Sequence, residues 1–188
     1  DSLKFVHIAG TNGKGSMAQM FSEVFQCAGL KTGLFTSPYI ISYTDRIKIN
    51  GIDIPKPALA KMAKLVKAVT DMHCDRENFS QFEITTAIAF LYFAEENCDI
   101  VVLETGLGGL LDSTNVIKTP ILTVIGSVDF DHTAILGDTL EKIAYQKAGI
   151  IKPHCPCVLS AGNDMKVIRT VREQAVKNLS QLVIPDIN

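Results

Sequence analysis

Short, continuously apolar runs alternate along this chain with longer stretches in which apolar positions recur every three or four residues. The short runs predict strands at residues 3–9, 31–36, 99–104, 121–127 and 156–160, with a weaker one at 182–184. The longer stretches predict helices at 16–28, 57–73, 81–97, 139–148 and 164–178. Runs such as Ile100-Val101-Val102-Leu103 and Ile121-Leu122-Thr123-Val124-Ile125 carry no polar alternation, as expected of parallel strands covered on both faces. Strand–helix alternation of this kind predicts a doubly wound α/β fold with a mostly parallel sheet. Between the second strand and the next helix, residues 46–54 read as a small hairpin turning at Asn50-Gly51.

In such folds ligands bind at the carboxyl ends of the strands. The residues with chemistry fall there: 10–16 after the first strand, 36–46 after the second, the loop after Glu104, and the loop after Ser127. Of these, Ala9-Gly10-Thr11-Asn12-Gly13-Lys14-Gly15-Ser16 says most. It follows an apolar strand and opens a helix, so glycines let successive N–H groups turn toward a phosphate at the helix's positive end. Lys14 supplies a charge for the β- and γ-phosphates, and Ser16 a hydroxyl for phosphate or Mg²⁺. Ile8 and Gly15 depart from the common eight-residue phosphate-loop pattern. By itself the loop implies a nucleoside triphosphate, and kinases, ATPases and ligases all remain open.

Glu104 ends a buried strand and precedes the glycine-rich loop Thr105-Gly106-Leu107-Gly108-Gly109. A carboxylate there is a natural Mg²⁺ ligand, since Mg²⁺ prefers hard oxygen donors; the lesser reading is a cap on a turn. Asp129-Phe130-Asp131-His132 follows the next strand, where His132 reads either as a ligand or as a structural histidine. Lys147, near the end of the 139–148 helix, reads from its surroundings as a surface lysine. Burial would lower its pKa, and a neutral amine can take up CO₂ as a carbamate that behaves like a carboxylate.

At 188 residues, with 47% hydrophobic and 20% charged positions, the chain fits one domain with a sizeable core. A formal charge of -2 without a basic stripe argues against a nucleic-acid partner. No apolar stretch approaches the ~20 residues of a membrane helix, and no signal peptide is read at the start. The five cysteines, at 27, 74, 98, 155 and 157, fit small packing residues in a reducing cytoplasm. His154-Cys155-Pro156-Cys157 has no second ligand pair at zinc-finger spacing and reads as packing too.

Several segments together resemble the folylpolyglutamate synthase and dihydrofolate synthase family, within the Mur ligase superfamily. They are HIAGTNGKGS (7–16), LFTSPYI (34–40), DRIKING (45–51), FSQFEITTAIAF (79–90), LETGLGGLLDSTN (103–115), DHTAILG (131–137) and IAYQKAGIIKP (143–153), so the match runs from Lys4 to about Pro153. The resemblance implies a Mur-ligase-type ATP-binding domain across 1–188, incomplete, without the family's N-terminal segment, the later part of its ATPase domain or its C-terminal glutamate-binding domain. It implies an ATP-dependent ligase that joins L-glutamate to dihydropteroate or a folate through an acyl phosphate, with two Mg²⁺ ions, acting as a cytoplasmic monomer. Thr11, Asn12, Gly13, Lys14, Gly15 and Ser16 resemble the ATP contacts, and Ser37, Glu104 and His132 the Mg²⁺ ligands. Lys14, His132 and a carbamylated Lys147 resemble the catalytic set. Ser80, Gln81, Phe82 and Glu83, with Leu111, resemble the acceptor-binding surface. The family usually has arginine where Leu110 stands, histidine or phenylalanine at Tyr39, and glutamate at Asp45. The alternatives are a Mur-type ligase for another acceptor and a non-catalytic nucleotide-binding module.

Overall fold

The structure is a computed structural model that describes residues 3–73 and 79–186. Cys74 lies outside the described residues. Among the described residues one sheet of eight strands runs through the molecule in the order β4-β3-β2-β5-β1-β6-β7-β8. The strands are β1 (Phe5–Ala9), β2 (Thr32–Phe35), β3 (Ile47–Ile49), β4 (Ile52–Asp53), β5 (Ile100–Glu104), β6 (Leu122–Ile125), β7 (Cys157–Leu159) and β8 (Leu182–Val183). The six from β2 to β8 in sheet order pair parallel, and the β2–β3 and β3–β4 pairings are antiparallel. That pair is the expected hairpin, with Asn50 and Gly51 at φ 48° and 76°. Positive φ at both turn positions matches the twist of the flanking strands.

The helices are α1 (Lys14–Cys27), α2 (Lys56–Thr70), α3 (Gln81–Glu95), α4 (Thr133–Leu136), α5 (Leu140–Ala148) and α6 (Met165–Lys177). Alternation along the strands assigns them to faces. Val6, Ile8, Leu34, Ile100, Val102 and Val124 point to one side and pack against Met17, Phe21 and Phe25 of α1. Phe35, Val101 and Leu103 point to the other, under α2 and α3. Ala9, Ile125, Cys157 and Leu159 share that side, under α5 and α6. Helices therefore cover both faces, with α1 alone on one of them.

α3 is apolar nearly all round because it is wedged between the sheet and α2. Its start is fixed by a reciprocal cap: the Ser80 hydroxyl accepts from the Glu83 N–H, and the Glu83 carboxylate accepts from the Ser80 N–H at 2.7 Å. Cys98, Cys155 and Cys157 are buried, and the Cys155 thiol donates to the Pro120 carbonyl at 2.8 Å, so these cysteines pack as expected while His154 is exposed.

With β2, β5, β1 and β6 adjacent and parallel, the loops that follow them open on one edge of the sheet. Truncating the fully buried ring that joins α3 to this sheet, Phe93→Ala, is expected to cost about 3–5 kcal/mol in urea unfolding. The half-exposed neighbour, Leu91→Ala, should stay within about 1 kcal/mol. Equal losses would contradict this packing.

Candidate active site

α1 begins at Lys14, two residues before the start expected from the sequence, and its cap is Gly13 at φ 77°. That left-handed turn releases the chain from β1 and sets the helix's N–H groups at the mouth of the loop. The loop is clasped from β6: the Thr11 N–H donates to the Ser127 carbonyl at 2.6 Å, the Thr11 hydroxyl donates to the Asp129 carbonyl at 3.1 Å, and the Asp129 N–H donates back to that hydroxyl at 3.0 Å. The Lys14 ammonium donates to the Thr11 carbonyl at 3.3 Å, which folds its side chain along the loop.

Glu104, at the end of β5, is 3% exposed and lies beside Gly15. It accepts from the Ser37 N–H at 3.0 Å, in the loop after β2 where the Ser37–Pro38 bond is cis. Burial pushes this carboxyl above its ordinary pKa, against the opposing pull of the Ser37 N–H and the Lys14 charge. Gly13, Gly15, Ser16, Ser37 and Glu104 line one cavity of about 1270 Å³, which continues between Met20 and Val24 of α1 and the exposed Ile40 and Ile41. The loop carrying those isoleucines is held by Asp45, which accepts N–H bonds from Ile40, Ile41 and Ser42. Arg46 lies over the Tyr39 and Tyr43 rings, 5.2 and 5.6 Å from their centres.

Lys147 overturns its surface reading. It is 2% exposed, and its ammonium donates to the Gly10 carbonyl at 2.8 Å, behind the phosphate loop. Burial lowers its pKa to about 8, helped by the Lys14 charge and opposed by Asp131. α5 reaches this position because the loop after β5 yields to it: a Cβ on Gly109 would stand 2.9 Å from the carbonyls of Gln146 and Lys147. The Asn115 amide joins the same layers, donating to the carbonyls of Leu110 and Gly149 at 3.0 and 3.1 Å. Leu110, where family arginine is usual, donates its N–H to the Gln146 carbonyl at 2.7 Å.

Lys14, Ser37, Glu104 and Lys147 are thus gathered on one edge. His132 makes no hydrogen bond to them: it is exposed, caps the short α4 at φ 46°, and lies 3.6 Å from the Asp131 carboxylate. Ser80, Phe82, Glu83 and Leu111 line a second cavity of about 270 Å³, with Asp112 and Ser113. Gln81 is exposed beside it. Sequence reasoning passed over His7, fully buried at the centre of β1, where its Nε2 meets the Thr114 hydroxyl at 2.8 Å. It also passed over the S-x-x-E capping signal at Ser80 and Glu83. The capping signal was legible, whereas nothing local marks His7.

The oxygen donors here fit Mg²⁺. Among the described residues no three His, Cys, Asp or Glu side chains cluster as a metal cage. Mg²⁺ at a phosphate site needs only one or two carboxylates, with phosphate and water completing its shell. Buried Glu104 and the Ser16 and Ser37 residues that line the same cavity answer that description.

Residues 8–185 match the Mur ligase middle domain, so the likeness extends past the 4–153 span that the motifs mark. The added part, β7-α6-β8, follows the fold's apolar pattern without site chemistry. The chain is 44% identical over 180 residues to the dihydrofolate synthase/folylpolyglutamate synthase of Bacillus subtilis (strain 168), covering 94% of itself and 41% of that protein. An FPGS–AMPPCP–folate complex superposes with a TM-score of 0.92 at 37% identity, over 97% of this chain and 45% of that one. E. coli FolC in complex with DHPP and ADP gives 0.87 at 30% identity, over 96% and 42%. The chain therefore spans less than half the length of these relatives.

The buried lysine makes stability depend on pH. Its folded-state pKa of about 8 lies below the usual 10.5, so between these values the unfolded chain binds the extra proton and rising pH stabilises the fold. Lys147→Met is expected to be more stable than wild type at pH 7, with the gap constant below about pH 8 and closing toward 10.5. Urea unfolding at several pH values reads this, and a gap that stays constant across the range would contradict the burial of a charge.

Proposed function

This chain belongs to the Mur ligase middle-domain family, and on that premise we propose that it carries the ATP-binding core of a ligase joining L-glutamate to a folate-type carboxylate. The buried Lys147 behind the phosphate loop is the observation that carries the reading, because a generic phosphate-loop ATPase has no use for it. The names of the relatives supply the acceptor class: dihydrofolate synthase/folylpolyglutamate synthase, and complexes with folate or DHPP. The free cysteines at 27, 98, 155 and 157 suit a cytoplasmic setting. The remaining length of the relatives leaves room for glutamate-binding parts outside these residues, and the complete protein is expected to act as a monomer.

In the proposed reaction an acceptor carboxylate oxygen attacks the γ-phosphorus of ATP and ADP leaves. The amine of glutamate then attacks the acyl phosphate, and phosphate departs as the amide forms. The 10–16 backbone, with Thr11, Asn12, Gly13, Gly15 and Ser16, cradles the triphosphate, and Lys14 neutralises charge that shifts toward ADP. Glu104, Ser37 and His132 would hold Mg²⁺. When bound, Mg²⁺ supplies Lewis-acid charge at the phosphate oxygens. With its pKa at about 8, Lys147 keeps a neutral fraction near neutral pH, which CO₂ converts to a carbamate with release of one proton. That would turn a buried cation into an anion able to hold a second Mg²⁺. Ser80, Gln81, Phe82, Glu83 and Leu111 form the acceptor surface, and the phenyl ring of Phe82 offers a flat face for a pterin.

Glutamate-dependent ADP release by the complete protein tests the reading, with dihydropteroate and tetrahydrofolate tried separately. Release is expected with at least one of them. Lys14→Ala should lower turnover by about 10²-fold or more, equivalent to about 2.7 kcal/mol of transition-state stabilisation. No release with either acceptor, or a variant within about tenfold of wild type, would overturn it.

A further inference from the structure

We propose that His7, which touches no substrate in the reading above, is a positioning residue that sets the glycine-rich loop after β5 through Thr114 and Asp112. Its imidazole sits at the centre of the sheet, on the face that Phe5 and Ala9 share, between the apolar clusters under α3 and under α5. An aliphatic side chain would fill that place without burying polar atoms.

The hydrogen bonds fix the tautomer. The Thr114 hydroxyl has one proton, and it is given to Asp112 Oδ1, since an ionised carboxylate only accepts. His7 Nε2, 2.8 Å from the same hydroxyl, must then be the donor. Nδ1 is left as a bare acceptor, buried and without a partner among the described residues. Burial and the nearby Lys152 charge lower this histidine's pKa to about 3, which keeps the ring neutral and the donor in place. A buried acceptor without a partner is a cost, so the donor on the other side of the ring must return something.

It returns a fixed loop. Asp112 Oδ1 also accepts the Thr114 N–H at 3.0 Å, and Oδ2 accepts the Leu107 N–H at 2.8 Å. One carboxylate thereby closes the 107–112 loop on itself, and His7 anchors that closure to β1, which is paired on both sides by β5 and β6. Leu107, Leu111, Asp112 and Ser113 all line the cavity shared with Phe82 and Glu83. His7 therefore sets the acceptor side of the site, while the phosphate loop is held separately by Ser127 and Asp129.

The inference rests on the ligase reading for its kinetic consequence, and hydrogen exchange tests it independently of that reading. His7→Leu removes the donor and keeps the bulk; His7→Gln keeps an N–H that reaches Thr114. In His7→Leu the Leu107 and Thr114 amides should exchange at least about tenfold faster, with Val102 and Val124 unchanged and His7→Gln close to wild type. In the complete protein His7→Leu should raise the acceptor KM by about tenfold or more, leave the ATP KM within about twofold, and be rescued by His7→Gln. Unchanged loop exchange, a general loosening that includes Val102, failure of glutamine to rescue, or an equal rise in the ATP KM would each overturn the proposal. If wild type turns over no folate acceptor while the exchange pattern holds, the relay stands and the acceptor class is wrong.

Discussion

An ammonium group hydrogen-bonded to the carbonyl of Gly10, in the dark side of a phosphate loop, sets the terms for the rest of this site. A buried cation beside a second cation is costly, and here Lys147 faces Lys14 with only Asp131 and one carbonyl to offset it. Tolerating it demands that α5 be driven hard against the loops after β1 and β5. The absence of a side chain at Gly109 permits the approach, and the Asn115 bridge to the carbonyls of Leu110 and Gly149 locks it. Destabilised in this way, the lysine is ready to give up its proton, which is what carbamate chemistry needs.

The sheet makes that convergence possible. β1 lies between β5 and β6, so the phosphate loop emerges between the loop of Glu104 and the loop of Asp129 and touches both. The hairpin β3-β4 caps the β2 side, and the segment before it delivers Ser37 to Glu104. No helix among the described residues is long and apolar enough to cross a membrane. The apolar segments serve this core instead.

Much of this was legible in the sequence. Unbroken apolar runs marked the parallel strands, and the Gly-Lys-Gly-Ser turn marked the loop that leads from β1 into α1. Glu104 was legible as a carboxylate that ends an apolar strand, and the structure places it buried beside Gly15. The burial of Lys147 was not legible, since it comes from the distant Gly109 and Gly10, and only the resemblance of its segment singled this lysine out. The short α4 also escaped, because four residues carry no periodicity and its cap is a histidine in a left-handed turn. His7 escaped for the same reason as Lys147: its partner is Thr114, far along the chain.

The central claim is that Glu104 and the phosphate loop form one Mg²⁺–nucleotide site, and calorimetric binding of AMPPCP with and without Mg²⁺ addresses it directly. Mg²⁺ should tighten binding to wild type by about tenfold or more, and Glu104→Gln should bind the analogue without that gain. The same gain in both proteins would contradict the assignment of Glu104 and of the site built around it.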